Sequence, residues 1–121
     1  MSNDLLPVYV GYDSREDIAY KICEYSLYKH SPTVDVKPLK QHDLRKIGLY
    51  SRDEDTLGST EFTFTRFLVP ELQGFNGWAL FCDCDFLWLG DIQEIFDQAD
   101  DSYAVMVVKH DYTPEEGIKM D

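Results

Sequence analysis

Residues 77–96, GWALFCDCDFLWLGDIQEIF, decide the fold. The run from Gly77 to Cys82 is continuously apolar, which is the pattern of a central strand covered on both faces; a strand with one wet face would alternate. It leads directly into the acidic triplet Asp83-Cys84-Asp85. In an extended backbone, residues i and i+2 point to the same side, so Asp83 and Asp85 can aim two carboxylates at one point just beyond a buried strand. Hard oxygen ligands at that spacing suit magnesium or manganese, which keep waters and complete their shell with substrate phosphates. The carboxyl ends of strands in an open α/β sheet are also where ligands bind. The plainer reading is that both aspartates are solvated residues ending a strand, since a bare D-x-D recurs by chance. Context weighs against it. Carboxylates placed between Gly77–Cys82 and the apolar Phe86-Leu87-Trp88-Leu89 are costly to hold near a core without a partner.

Working outward, Leu6 to Tyr12 (LPVYVGY) reads as a short buried strand turning into a loop at Gly11, Tyr12 and Asp13. A helix starts at Ser14, where Ser14 and Asp17 resemble a capping box, and ends near His30 because Pro32 forbids its continuation. Ile18, Ile22, Tyr25 and Lys29 mark one face of it, widened by Ala19, Cys23 and Leu27. Val34 to Leu39 (VDVKPL) alternates and carries Pro38, which predicts a strand nearer a sheet edge. Gln41 to Ile47 predicts a short helix, and the polar Gly48 to Ser59 an exposed loop of functional length. Phe64, Phe67, Leu68 and Leu72 fit a helix over Thr60 to Leu72, although Thr63 and Thr65 are weak helix formers. Asp91 to Gln98 predicts another helix, and Tyr103 to Val108 (YAVMVV) another buried strand. Alternating strands and helices predict one α/β domain, residues 1–121, built as three α/β/α layers around a mostly parallel sheet. The polar stretch from Lys109 to Asp121 offers no closing element, so the domain reads as incomplete.

A chain of 121 residues with 44% hydrophobic content can bury a real core. No apolar run approaches the roughly 20 residues of a membrane helix, and Met1 to Pro7 lacks a basic-then-apolar leader. Three cysteines, Cys23, Cys82 and Cys84, suggest reduced thiols and a cytoplasmic location, and they lack the ligand spacing of a structural zinc site. The formal net charge of -12 disfavours nucleic acid and anionic membranes as partners. An anionic ligand would need help, which a divalent cation held by carboxylates could supply.

Three segments in order carry a family resemblance: VYVGYD at 8–13, TRFLVPEL at 65–72 and FCDCDFLWLGDIQEIF at 81–96. Together they resemble the GT-A fold glycosyltransferases, most closely the glycogenin-like members of glycosyltransferase family 8. The resemblance implies a hexosyltransferase that binds a nucleotide-diphosphate sugar, a UDP-sugar foremost, for transfer to an acceptor. It implies Mn2+ or Mg2+ on Asp83 and Asp85, with Asp83 also meeting the ribose. It places Arg66 along the sugar and diphosphate, Tyr12 and Asp13 near the base and ribose, and Cys84 among the donor-binding residues. The metal would act as a Lewis acid on the departing diphosphate. The family's later metal-binding His and its acceptor-binding residues have no counterpart in these 121 residues.

Each residue also has a plainer reading. Arg66 can pair with Glu61 or Glu71 on an exposed helix, Asp13 can help Ser14 cap, and Tyr12 and Trp88 can be core. His30, His42 and His110 share no ligand spacing. Two other functions remain open. An Asp-x-Asp phosphotransferase usually carries its motif on the first strand, with Thr or Val two places beyond; here Phe86-Leu87 follows a later strand. A nucleotide-binding or interaction fragment without chemistry is the non-enzymatic alternative.

Overall fold

The computed structural model describes residues 5–51 and 60–109. Strand β1, Leu6–Gly11, lies at the centre of a three-stranded parallel sheet, between β2, Val34–Leu39, and β3, Leu80–Cys82. Val8 is opposite Val36 on one side and Leu80 on the other, and Val10 is opposite Cys82. Side chains alternate across the pleat, so β1 serves two cores. Val8 and Val10 join Val34, Val36 and Cys82 against helix α1, Asp17–His30, through Tyr20, Cys23 and Leu27. Tyr9 and Leu39 face the opposite side, where Leu44 of helix α2, Gln41–Lys46, packs with Leu68, Val69 and Leu72. Helical layers therefore cover both faces of the sheet.

Local chemistry sets most element ends. Asp13, in extended backbone, caps the chain by accepting from Arg15 N, and a 3-10 turn at Ser14–Glu16 leads into α1. The predicted Ser14–Asp17 capping box does not form, because the Ser14 hydroxyl instead donates to Glu61 at 2.6 Å. At the other end, Ser31 N bonds back to Leu27 O before Pro32. Of the face expected on α1, Ile18, Ile22 and Tyr25 are exposed, whereas Cys23 and Leu27 are buried as expected, together with Tyr20 and Ser26.

Four further expectations are corrected. The helix expected over Thr60 to Leu72 is broken into a 3-10 turn at Thr65–Leu68 and a one-turn helix α3, Val69–Leu72, with Pro70 in its first turn. Thr63 helps break it by donating its hydroxyl to Thr60 O, a local bond that competes with helical backbone pairing. Strand β3 is three residues long and starts at Leu80, because Gly74, Phe75 and Gly77 all take positive φ and turn the chain just before it. It lies at an edge of the described sheet, and β1 holds the centre. The expected helix over 91–98 is reduced to α4, Gln93–Phe96. Residues 103–108 form no strand and are exposed, Val107 to 82%. An apolar run becomes a strand only where a neighbour takes its backbone hydrogen bonds, and none lies beside it among the described residues. Residues 52–59 of the expected loop lie outside those described.

Candidate functional site

In a parallel sheet all strands end on the same side, so the residues after β1, β2 and β3 leave from one edge of the domain. Gly11 is followed there by Tyr12 and Asp13, Leu39 by Lys40, and Cys82 by Asp83. Gly11 is required by crowding: a Cβ at this position would sit 2.5 Å from Phe62 Cγ. Phe62 in turn lies beneath the Arg66 guanidinium, which is 5.6 Å from its ring and 5.2 Å from that of Phe81.

Arg66 reaches from its 3-10 turn to Asp83, Nη2 to Oδ1 3.9 Å, with both side chains about two-fifths exposed. Neither Glu61 nor Glu71 is its partner in an ion pair among the described residues. Partial burial raises the Asp83 carboxyl above the ordinary carboxylate range; Arg66 pulls it down, and Asp85 and Glu16 push it up. Three acids, Asp83, Asp85 and Glu16, therefore share one neighbourhood, with Arg66 beside Asp83. The strand ends at Cys82 and the chain turns at Cys84 and Asp85, so the extended geometry expected to align the two aspartates is replaced by a turn. Asp85 is exposed. Cys84 is buried, its thiol donating to Glu16 Oε2 at 3.4 Å, and burial with that bond pushes the thiol up to about 12. Its side chain is therefore a neutral packing group.

Asp13 is also buried. Its Oδ1 accepts from Arg15 N and Nε at 2.9 Å each, and its Oδ2 from Arg15 Nη2 at 2.6 Å and Glu61 N at 3.2 Å. These donors fill the roughly four acceptor positions of a carboxylate. They hold its pKa down to about 2, the Arg15 side chain contributing most. Asp13 thus ties the end of β1 to the segment carrying Phe62 and Arg66, and in this arrangement it has no acceptor left for a ribose.

Tyr12 donates its hydroxyl to Asp17 at 2.6 Å, which with burial and the surrounding acids pushes it up to about 12. Lys40 Nζ sits 4.9 Å over its ring. Between the ends of β1 and β2 an open cleft of about 670 Å³ is lined by Tyr12, Ser14, Lys40, His42, Arg45 and Glu61, among others. The cleft brings two cationic side chains, Lys40 and Arg45, together with the acids Asp43 and Glu61. Its lining includes Tyr12 and excludes Asp83 and Arg66, so the expected site residues fall into two neighbouring groups. Sequence reasoning missed Glu16, Lys40 and Arg45. The available signal was position, since Lys40 follows β2 as Tyr12 follows β1.

A second feature supports the triplet. The chain from Cys84 to Ile92 runs alongside α1, pinned where the buried Ser26 hydroxyl accepts from Trp88 N at 3.0 Å and the buried Ser31 hydroxyl from Ile92 N at 2.9 Å. Trp88 packs against the core, in keeping with its plainer reading.

No three His, Cys, Asp or Glu side chains converge as a ready cation cage among the described residues. The chemistry present fits a cation that takes only one or two protein carboxylates, Asp83 foremost with Asp85 beside it, and fills its shell from water and phosphate. No described helix is long and apolar enough to cross a membrane.

Among known proteins, the chain is similar to Protein CDI of Arabidopsis thaliana, 56% identical over 115 residues. The alignment covers 94% of this chain and 44% of that protein, so the chain spans less than half of its relative's length. No family model and no solved structure matches the chain.

Proposed function

We propose that this chain is the donor-binding part of a metal-dependent glycosyltransferase with a GT-A-like fold, and that it binds a nucleotide-diphosphate sugar, a UDP-sugar foremost. The observation that carries the proposal is Arg66 placed 3.9 Å from Asp83 at the carboxyl end of β3, beside the end of β1. A half-exposed pair of this kind contributes only about 0–1 kcal/mol to stability, so its position is better accounted for by what it can bind. Arg66 presents a permanently charged fork suited to phosphate oxygens, held in place by the faces of Phe62 and Phe81. Asp83 and Asp85 would hold Mn2+ or Mg2+, which, when bound, stabilises negative charge on the diphosphate. Tyr12 and the adjoining cleft offer an aromatic wall and cations for the nucleoside end. Because the chain spans less than half of its relative, we assign donor binding to these residues and sugar transfer to the whole protein.

Calorimetric titration of UDP and of GDP, with and without Mn2+, tests this on the wild type and on Asp83→Ala with Asp85→Ala. Metal-dependent UDP binding, weakened at least tenfold in the variant while circular dichroism stays unchanged, is the expected outcome. Binding that ignores both metal and carboxylates would favour nucleotide binding without this chemistry. No binding under any condition would end the donor-site reading for this chain.

A further inference from the structure

Cys23 and Cys82 come from different elements and meet in one core. Cys23 stands on the sheet face of α1 with Tyr20 and Leu27, and Cys82 ends β3, opposite Val10 of β1. Both are free and buried, 0% and 4% exposed. Their thiols lie within hydrogen-bond reach of each other, Cys82 donating to the Cys23 sulfur. The indole of Trp88 lies against the pair and directs its Nε1–H at both sulfurs; that nitrogen is buried and finds no oxygen or nitrogen acceptor. The third cysteine, Cys84, is bonded instead to Glu16.

We propose that Cys23 and Cys82 are a redox pair that closes to a disulfide with hydrogen peroxide as the oxidant, stapling α1 to the end of β3. A buried thiol on its own is an inert packing group, but a second sulfur in contact gives the first an immediate resolving partner. Cys23 is the attacking sulfur. The hydrogen bond from Cys82 holds the Cys23 thiol below its ordinary range, and the same bond, with burial, pushes Cys82 up. The Cys23 thiolate attacks one peroxide oxygen, the O–O bond breaks, and the leaving hydroxide takes the proton that Cys23 gave up. The Cys82 sulfur then attacks the Cys23 sulfenic sulfur, the S–O bond breaks, and the second hydroxide leaves with the Cys82 proton. One peroxide becomes two waters, and the dithiol gives up two electrons and two protons. Closure shortens the sulfur contact to a bond of about 2.05 Å and draws α1 towards β3. Access is gated by the segment carrying Trp88, which the Ser26 and Ser31 hydroxyls fasten to α1. The oxidant enters when that segment lifts, a local opening well short of unfolding.

Treatment of the folded full chain with hydrogen peroxide, followed by alkylation of the remaining thiols and peptide mass mapping, tests the proposal. The expected product is a monomer lighter by two hydrogens, with Cys23 joined to Cys82, Cys84 free, and both thiols restored by dithiothreitol. The same treatment in urea should give a mixture of pairings, because contact in the fold selects this one. Closing a loop of about 60 residues should raise the thermal midpoint by at least about 5 °C. Cys84→Ser should close as wild type does, whereas Cys23→Ser and Cys82→Ser should not close. Ser26→Ala should speed closure several-fold by freeing the Trp88 segment, and an unchanged rate would overturn the gate. Three free thiols in the folded chain, at peroxide levels that oxidise the unfolded one, would overturn the proposal. So would a bridge that uses Cys84 or joins two chains, and so would a thermal midpoint that falls on closure, since a strained bridge is no staple.

Discussion

Replacing Gly11 with alanine tests how the end of β1 is joined to the arginine-bearing segment. The added methyl would lie 2.5 Å from Phe62 Cγ, 2.6 Å from Cδ2 and 3.0 Å from Cδ1. Ordinary carbon contacts begin near 3.5 Å, so the ring must retreat by about 1 Å. It has little room to do so: Phe62 is buried, tilted against Phe81 at 6.4 Å between ring centres, and covered by Arg66. Overpacking of this kind costs about 1–3 kcal/mol. Gly11 has no positive φ, so alanine fits the backbone and stiffens the unfolded chain, recovering about 0.4–1 kcal/mol. The expected net loss is about 1–2 kcal/mol, read as a lower urea midpoint at unchanged slope. Phe62→Ala alone should cost about 3–5 kcal/mol by leaving a cavity. In the double variant the Gly11 penalty should vanish, giving a coupling of at least about 1 kcal/mol. If Gly11→Ala proves as stable as wild type, or if the two changes simply add, then Phe62 does not press on Gly11 and the account of this junction is wrong.

Two further outcomes follow from the same neighbourhood. The folded-state pKa of Asp13, about 2, lies below its ordinary 3.8, so its stabilisation is complete above about pH 4 and is lost as pH falls through 2. The stability gap between wild type and Asp13→Asn should therefore close across that window in acid unfolding curves, and a gap that stays constant would remove the carboxylate charge from the explanation. Ser26→Ala and Ser31→Ala each strand a backbone N–H, at Trp88 and Ile92 respectively, so each should cost about 1–2 kcal/mol and speed amide exchange at that residue first. Unchanged exchange there would mean that α1 does not hold the segment after the triplet.

The parts of the fold that could be read from the sequence are those whose causes are local. Pro32 stops α1, Pro38 keeps β2 at an edge, and the apolar Leu6–Gly11 run has the composition of the central strand it forms. The failures share one origin, since apolar content reports burial demand and is silent about neighbours. Gly77–Cys82 reads as the centre of the sheet and 103–108 as a strand, yet among the described residues the first is a three-residue edge and the second has no partner. Likewise α1 is apolar on two sides, and periodicity alone could not tell that within the broad expected face Cys23 and Leu27 are buried while Ile18, Ile22 and Tyr25 are exposed. At the site, such errors carried forward. Glu61 and Glu71 each stand five positions from Arg66, and helical side chains meet at spacings of three and four, so even a regular helix over 60–72 would not bring either one to it. Thr63 and Pro70 break that helix, and Arg66 turns to Asp83, seventeen residues on in another element. The aspartate was visible in the sequence and its arginine was named, but the contact between them depends on how the intervening backbone fails to be a helix.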